Sequence, residues 1–157
     1  MEGRRFACAL GRAGIVRDKR EGDGGTPQGV FALREVRFRP DRGAAPETGL
    51  PLLPIGVRDG WCDAPDDPCY NRPVVLPYPA SAETLWREDG LYDLFAVIGF
   101  NDAPPNPGRG SAIFLHIARG DPGAFAPTEG CVALTRRDLG EVLALCRPGV
   151  EVDIAPT

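Results

Sequence analysis

A chain of 157 residues, 43% hydrophobic and 25% charged, has the size of one domain and buries a core without needing metals or disulfides as staples. Its net charge of −4, with Lys19 the single lysine among 18 Lys and Arg residues, provides no basic footprint for nucleic acid or an anionic lipid surface. No apolar run approaches the roughly 18 residues of a membrane helix, so no membrane insertion is expected, and the first thirty residues show no export-signal pattern.

The 20 glycines and 17 prolines are spread among apolar runs, the pattern of a globular chain rich in turns. In chain order, Phe6–Leu10 reads as a short strand, the charged, glycine-rich stretch 17–29 as an exposed loop, and Val30–Phe38 as a β-branched and aromatic strand. Residues 40–73 carry seven prolines and read as a long surface excursion, the kind of segment that often holds function. Val74–Leu76, Leu91–Gly99 and Ser111–Ala118 follow as strands, the last two apolar on both faces and therefore central. Ser81 suits the cap of a short helix over 82–88. Thr135 followed by Asp138 resembles a capping box, and Leu139, Val142, Leu143 and Cys146 recur at helical spacing until Arg147-Pro148-Gly149 stops them. Val150–Ile154 alternates as a half-buried strand. The sum is a mainly β single domain with one or two short peripheral helices.

Five cysteines, at 8, 62, 69, 131 and 146, leave at least one thiol unpaired within the monomer. Cys8 and Cys146 sit in apolar patterns and read as core. Cys62 and Cys69, in a proline-rich loop, are open to three readings: a local disulfide, a metal site, or two free thiols. Asp63, Asp66 and Asp67 beside them lack the spacing of a calcium loop and read as solvated charge. The only histidine, His116, shares a strand face with Phe114. Fifteen positions later Thr128-Glu129-Gly130-Cys131 enters a turn shortly before the capped helix. Taken singly, these are a core histidine and a buried thiol. Taken together, they form a candidate nucleophile and base, with a thiol pKa expected to be lowered near a helix start. Gly130 permits a sharp turn and leaves room for a carbonyl beside the Cys131 N–H, so the chemistry is acyl transfer.

The segment from His116 through Thr128, Gly130 and Cys131, with Thr26-Pro27-Gln28-Gly29-Val30-Phe31 upstream, resembles the L,D-transpeptidase catalytic domain, the YkuD family, over about residues 5–155. The resemblance implies a β-sandwich-like fold with the cysteine at the end of a cleft, no cofactor and no metal. It implies that Cys131 attacks the L-centre carbonyl of an L,D-peptide bond in a peptidoglycan stem peptide, with His116 as base, backbone N–H groups near Gly130 and Cys131 as oxyanion donors, and a thioester passed to an amine. Carbapenem-type inhibitors and a periplasmic or cell-envelope location are implied in the same way. Two positions depart from the family pattern: Glu129 stands in place of a second histidine, and Ala133 in place of an arginine. Glu129 is expected to face away from the sulfur or to bind a substrate amine. Substrate contacts are expected from Thr128, Glu129, Arg72, Arg119 and Asn101, with Arg109 and Arg136 as further cations. The rivals are hydrolysis of the same acyl-enzyme, as an L,D-carboxypeptidase or amidase, and a non-catalytic module that gathers Cys62, Cys69, Cys131 and His116 around zinc.

Overall fold

The structure, a computed structural model, describes residues 3–156. Along the chain, β1 (Ile15–Val16) and β2 (Thr26–Pro27) form a small parallel pair, β3 (Gly29–Phe38) runs long, and β4 (Leu52–Pro54) returns beside its end. Next, β5 (Asp59–Cys62), β6 (Pro73–Val75) and β7 (Ala82–Thr84) make a separate antiparallel sheet in the order β6-β5-β7. β8 (Leu94–Ile98), β9 (Phe114–Ile117), β10 (Val132–Leu134), helix α1 (Arg136–Leu145) and β11 (Glu151–Ile154) complete the chain. The main sheet runs β10-β9-β8-β3-β11, and β3 is long enough to seat β11 along its first half and β4 along its second.

Every residue of β8 is buried, which only a strand covered on both faces achieves. Its alternation splits the core in two. Leu94, Ala96 and Ile98 join Leu115 and the helix residues Leu139 and Leu143 on one side. Phe95 and Val97 join Phe114, Trp61, Leu85 and Tyr92 on the other, under the β5–β7 sheet. The layered, sandwich-like β architecture expected from the sequence is thus present, with one α-helix among the described residues. That helix begins as read: the Asp138 N–H donates to Thr135 Oγ1 at 3.1 Å, and the Arg147 guanidinium closes the far end on the Ala144 and Cys146 carbonyls.

Several expected elements differ. Phe6–Leu10 forms only an isolated bridge, in which Ala9 exchanges two backbone hydrogen bonds with Ala133. The segment 82–88 is not helical. Its first residues pair with β5 as β7, and Trp86 then turns to stack under the Arg39 guanidinium at 3.5 Å, so tertiary pairing overrides the local cap signal. The excursion 40–73 contains β4 and β5, with Pro54 at the end of β4 and Pro73 at the start of β6, where no ladder N–H is lost. Ser111–Ala118 shortens to β9 because Ala112 adopts φ 53°, which no strand continues. Cys146 is core, 1% exposed, whereas Cys8 is exposed because the bridge at Ala9 carries too few pairs to cover its neighbour. Cys62 and Cys69 are both free thiols.

Leu143 is fully buried between α1 and the sheet, whereas Leu145 on the same helix is 45% exposed. Leu143→Ala is expected to cost about 2 to 5 kcal/mol and Leu145→Ala less than about 0.5 kcal/mol, read as urea midpoints at constant m-value. Equal losses at both positions would contradict the packing.

Candidate active site

Strands β9 and β10 are parallel, with Leu115 opposite Val132 and His116 opposite Ala133. Side chains alternate along a strand, so Cys131, one step before Val132, lies on the same face as His116 and about 6.6 Å from it along the strand direction. The sheet register therefore brings together two residues fifteen apart. Both are buried, His116 at 6% and Cys131 at 8% exposure, at the floor of a cleft of about 500 Å³.

The thiol is held from two sides. The Phe114 N–H donates to Cys131 Sγ, and Sγ donates to the Ala112 carbonyl, each at 3.3 Å. A sulfur that donates is protonated. Burial, and after it the negative charge of Glu83, push the thiol pKa up to about 12, opposite to the lowered value expected from a helix start. The physical reason is distance and solvent. α1 begins five positions beyond the cysteine, and the sulfur is buried.

His116 Nδ1 lies 2.8 Å from the Ile117 carbonyl. A carbonyl only accepts, so Nδ1 carries the proton and Nε2 keeps its lone pair. Burial lowers the imidazole pKa, so the ring is neutral at about pH 7, and it packs edge-on against Tyr92 at 5.3 Å. The resting pair is a neutral thiol and a neutral imidazole.

The turn carrying Cys131 is fixed by backbone packing. Gly130 has φ 142°, and a Cβ there would stand 2.7 Å from the Gly25 carbonyl oxygen. A Cβ on Gly11 would stand 2.3 Å from the Gly24 carbonyl oxygen and 3.1 Å from Gly130 Cα. Three chain segments meet here with no room for side chains. Thr26, fully buried, accepts the Gly11 N–H on Oγ1 at 2.8 Å, which ties the Thr-Pro motif to the same Gly11 that packs on Gly130. Thr128 braces the turn from outside: its hydroxyl donates to the Cys131 carbonyl at 2.7 Å and accepts the Gly130 N–H at 3.1 Å. With the Gly130 N–H engaged, the candidate oxyanion donor is the N–H of Cys131 itself.

Thr128, Glu129 and Arg119 line the cleft with Cys131 and His116. Glu129 is 81% exposed and pairs with Arg12 at 3.1 Å. Arg119 pairs with Asp89 at 3.3 Å. Two expected substrate contacts lie elsewhere. Arg72 borders a separate depression of about 200 Å³, and Asn101 clips its own loop, Nδ2 donating to the Asn106 and Gly110 carbonyls. Arg109 and Arg136 are spent on Asp18 and Asp93. Among the described residues, no three His, Cys, Asp or Glu side chains converge as a metal site requires, so Cys62, Cys69, Cys131 and His116 do not gather as the zinc alternative expected.

Sequence reasoning missed Asn71, Glu83 and Tyr92. Asn71 is buried and makes four hydrogen bonds: Oδ1 accepts from Trp61 Nε1 and the Ala112 N–H, and Nδ2 donates to the Phe100 and Asn101 carbonyls. It thereby holds Ala112, whose carbonyl receives the thiol proton. Tyr92 donates its hydroxyl to Glu83 Oε1 at 2.5 Å on the cleft wall. Their partners come from distant segments, so no local pattern marks them.

A model of the L,D-transpeptidase catalytic domain, YkuD, matches residues 2–154. The chain belongs to the YkuD family. A search of the curated proteins and one of the solved structures find no match. Within this YkuD domain, Ala133, in place of the family's arginine, is fully buried and bonded on both sides to Ala9, so any cation for a substrate carboxylate has to come from outside β10.

The raised thiol pKa has a sign that experiment can read. Stability from burying the neutral thiol is complete below its unfolded pKa of about 9 and is lost as pH rises toward 12. Cys131→Ala lacks this dependence, so the stability of the wild type relative to the variant is expected to shrink as pH rises from about 9 toward 12 in urea unfolding. Iodoacetamide labelling of Cys131 is expected to be slower at about pH 7 than that of exposed Cys8.

Proposed function

We propose that this domain is a cysteine L,D-transpeptidase that works on peptidoglycan stem peptides through a thioester on Cys131. The observation that carries the reading is the placement of Cys131 and His116 on one face of neighbouring strands at the cleft floor, with Nε2 of His116 the nitrogen that keeps its lone pair.

Activation follows from that arrangement. A substrate entering the cleft expels water, and the Cys131 proton passes from its parking place on Ala112 to His116 Nε2 as the sulfur attacks the L-centre carbonyl. The oxyanion forms against the Cys131 N–H. His116 then returns the proton to the departing D-amino acid, leaving the peptide as a thioester. An amine acceptor resolves it and frees the thiol. Since both resting groups are neutral, charge appears only along the reaction path, inside a site of low dielectric where fixed dipoles act strongly.

The test is incubation with a disaccharide tetrapeptide, followed by mass spectrometry of products and protein. A cross-linked or amine-exchanged product and a Cys131 acyl adduct are expected. Release of free tripeptide alone would make the domain an L,D-carboxypeptidase. Cys131→Ala is expected to abolish turnover while remaining folded, and His116→Gln to slow acylation by about 10² to 10⁴. A carbapenem is expected to leave its mass on wild type and not on Cys131→Ala. Normal turnover by Cys131→Ala would sink the mechanism.

A further inference from the structure

The mechanism just described leaves Glu83 without a task, although it stands inside the cleft. Glu21, a second carboxylate of the wall, is engaged: its Oε2 receives the Tyr70 and Ser111 hydroxyls at 2.5 and 2.8 Å. Glu83 is held differently. β7 pairs it with Trp61 of β5, and Trp61 packs edge-on at 5.2 Å against Phe114, whose N–H meets the nucleophilic sulfur. Tyr92 donates to Oε1 of Glu83 while its ring lies against the His116 imidazole at 5.3 Å. One buried tyrosine thus anchors the carboxylate and the imidazole beside the same thiol. The Arg87 guanidinium stands 3.8 Å from Oε1, and among the described residues no donor occupies Oε2.

The second half of the reaction needs such a group. An alkylamine reaches the thioester as an ammonium, which has no lone pair. Of its three N–H protons, one stays in the product amide and two must leave. His116 carries only one.

Resting on the acyl-enzyme reading above, we propose that Glu83 is a second base, which docks the acceptor as its ammonium and takes the proton that frees the nitrogen lone pair. The steps balance. The first proton passes to the Glu83 carboxylate and then to solvent. The freed nitrogen attacks the thioester carbonyl, and the C–N bond forms as the C–S bond breaks. The second proton passes through His116 Nε2 to the leaving thiolate, which regenerates the neutral pair. Burial, opposed by the Tyr92 hydrogen bond and the Arg87 charge, raises the Glu83 pKa from its ordinary value, which makes it a better acceptor for such a proton.

The experiment measures aminolysis of a preformed thioester. Wild type and Glu83→Gln, which keeps an acceptor for the Tyr92 hydroxyl, are acylated with the tetrapeptide donor and the adduct on Cys131 is quantified by intact mass. Ethylamine, an ammonium at about pH 7, and trifluoroethylamine, largely neutral there, are then compared as acceptors at saturation. In wild type the two amines are expected to react at similar maximal rates. In Glu83→Gln the ratio of ethylamine to trifluoroethylamine rates is expected to fall about 10²-fold. A general loss of structure would slow both amines together and leave the ratio unmoved, so an unchanged ratio overturns the proposal. A higher KM for ethylamine with an unchanged maximal rate overturns it as well, since Glu83 would then only bind. Should Glu83→Gln not fold, Glu83→Met, which likewise lacks a carboxylate, is read the same way, and no change in the ratio overturns the proposal. If wild type forms no adduct on Cys131, the acyl-enzyme reading fails first and this one with it.

Discussion

Everything at this site depends on a place where three stretches of backbone come too close for any side chain. Gly11, Gly24 with Gly25, and Gly130 meet there, and the carbonyl oxygens of Gly24 and Gly25 occupy the volume where a Cβ on Gly11 or Gly130 would fall. Excluded volume of this kind is stiffer than a hydrogen bond, because it gives by tenths of an ångström. It sets where β10 begins and so which residue stands beside Phe114. The hydroxyls of Thr26 and Thr128 satisfy the N–H groups of Gly11 and Gly130, which otherwise would be stranded in a crowded, dry contact.

From that anchor the electrostatics follow. Cys131 and His116 are both neutral because burial at the cleft floor disfavours their charged forms, and any charge placed there meets the same low dielectric. The thiol is held instead of being ionised. Its proton rests on Ala112, a non-glycine residue at φ 53°, and that strained conformation persists because Asn71 grips the Ala112 N–H from behind. Asn71, 41 residues upstream of Ala112, therefore helps set the rotamer of Cys131.

Much of this was readable beforehand, and the reasons differ by residue. The strands β8 and β9 and helix α1 announced themselves because burial on two faces and a capped amphipathic stretch leave patterns within one short window. Cys131 and His116 stood out as a candidate pair because a thiol and an imidazole have few alternative uses together, and the register of β9 and β10 sets them on one face. Glu83, Tyr92 and Asn71 were not, since their hydrogen-bond partners lie between nine and 41 residues away, at separations that no helical or strand period marks. The thiol pKa was misjudged for a related cause: helix proximity is visible in a sequence, whereas the depth of burial that outweighs it is a property of packing. The supposed helix over 82–88 failed likewise, its cap signal overruled by pairing with β5.

The parallel pairing of β9 with β10 carries a topological obligation. Two neighbouring strands that run the same way cannot be joined by a tight hairpin, so the chain from Ala118 to Cys131 has to leave the plane of the sheet and cross one of its faces before returning. It crosses the face that bears the histidine and the cysteine, and its residues, Arg119 and Ala126 through Glu129 among them, become a wall of the cleft. Loop and reactive pair are therefore inseparable by geometry, while the loop's length and side chains stay free to vary. Insertions or substitutions between 119 and 127 therefore act on the cleft entrance before they act on the strands that hold sulfur and imidazole in register.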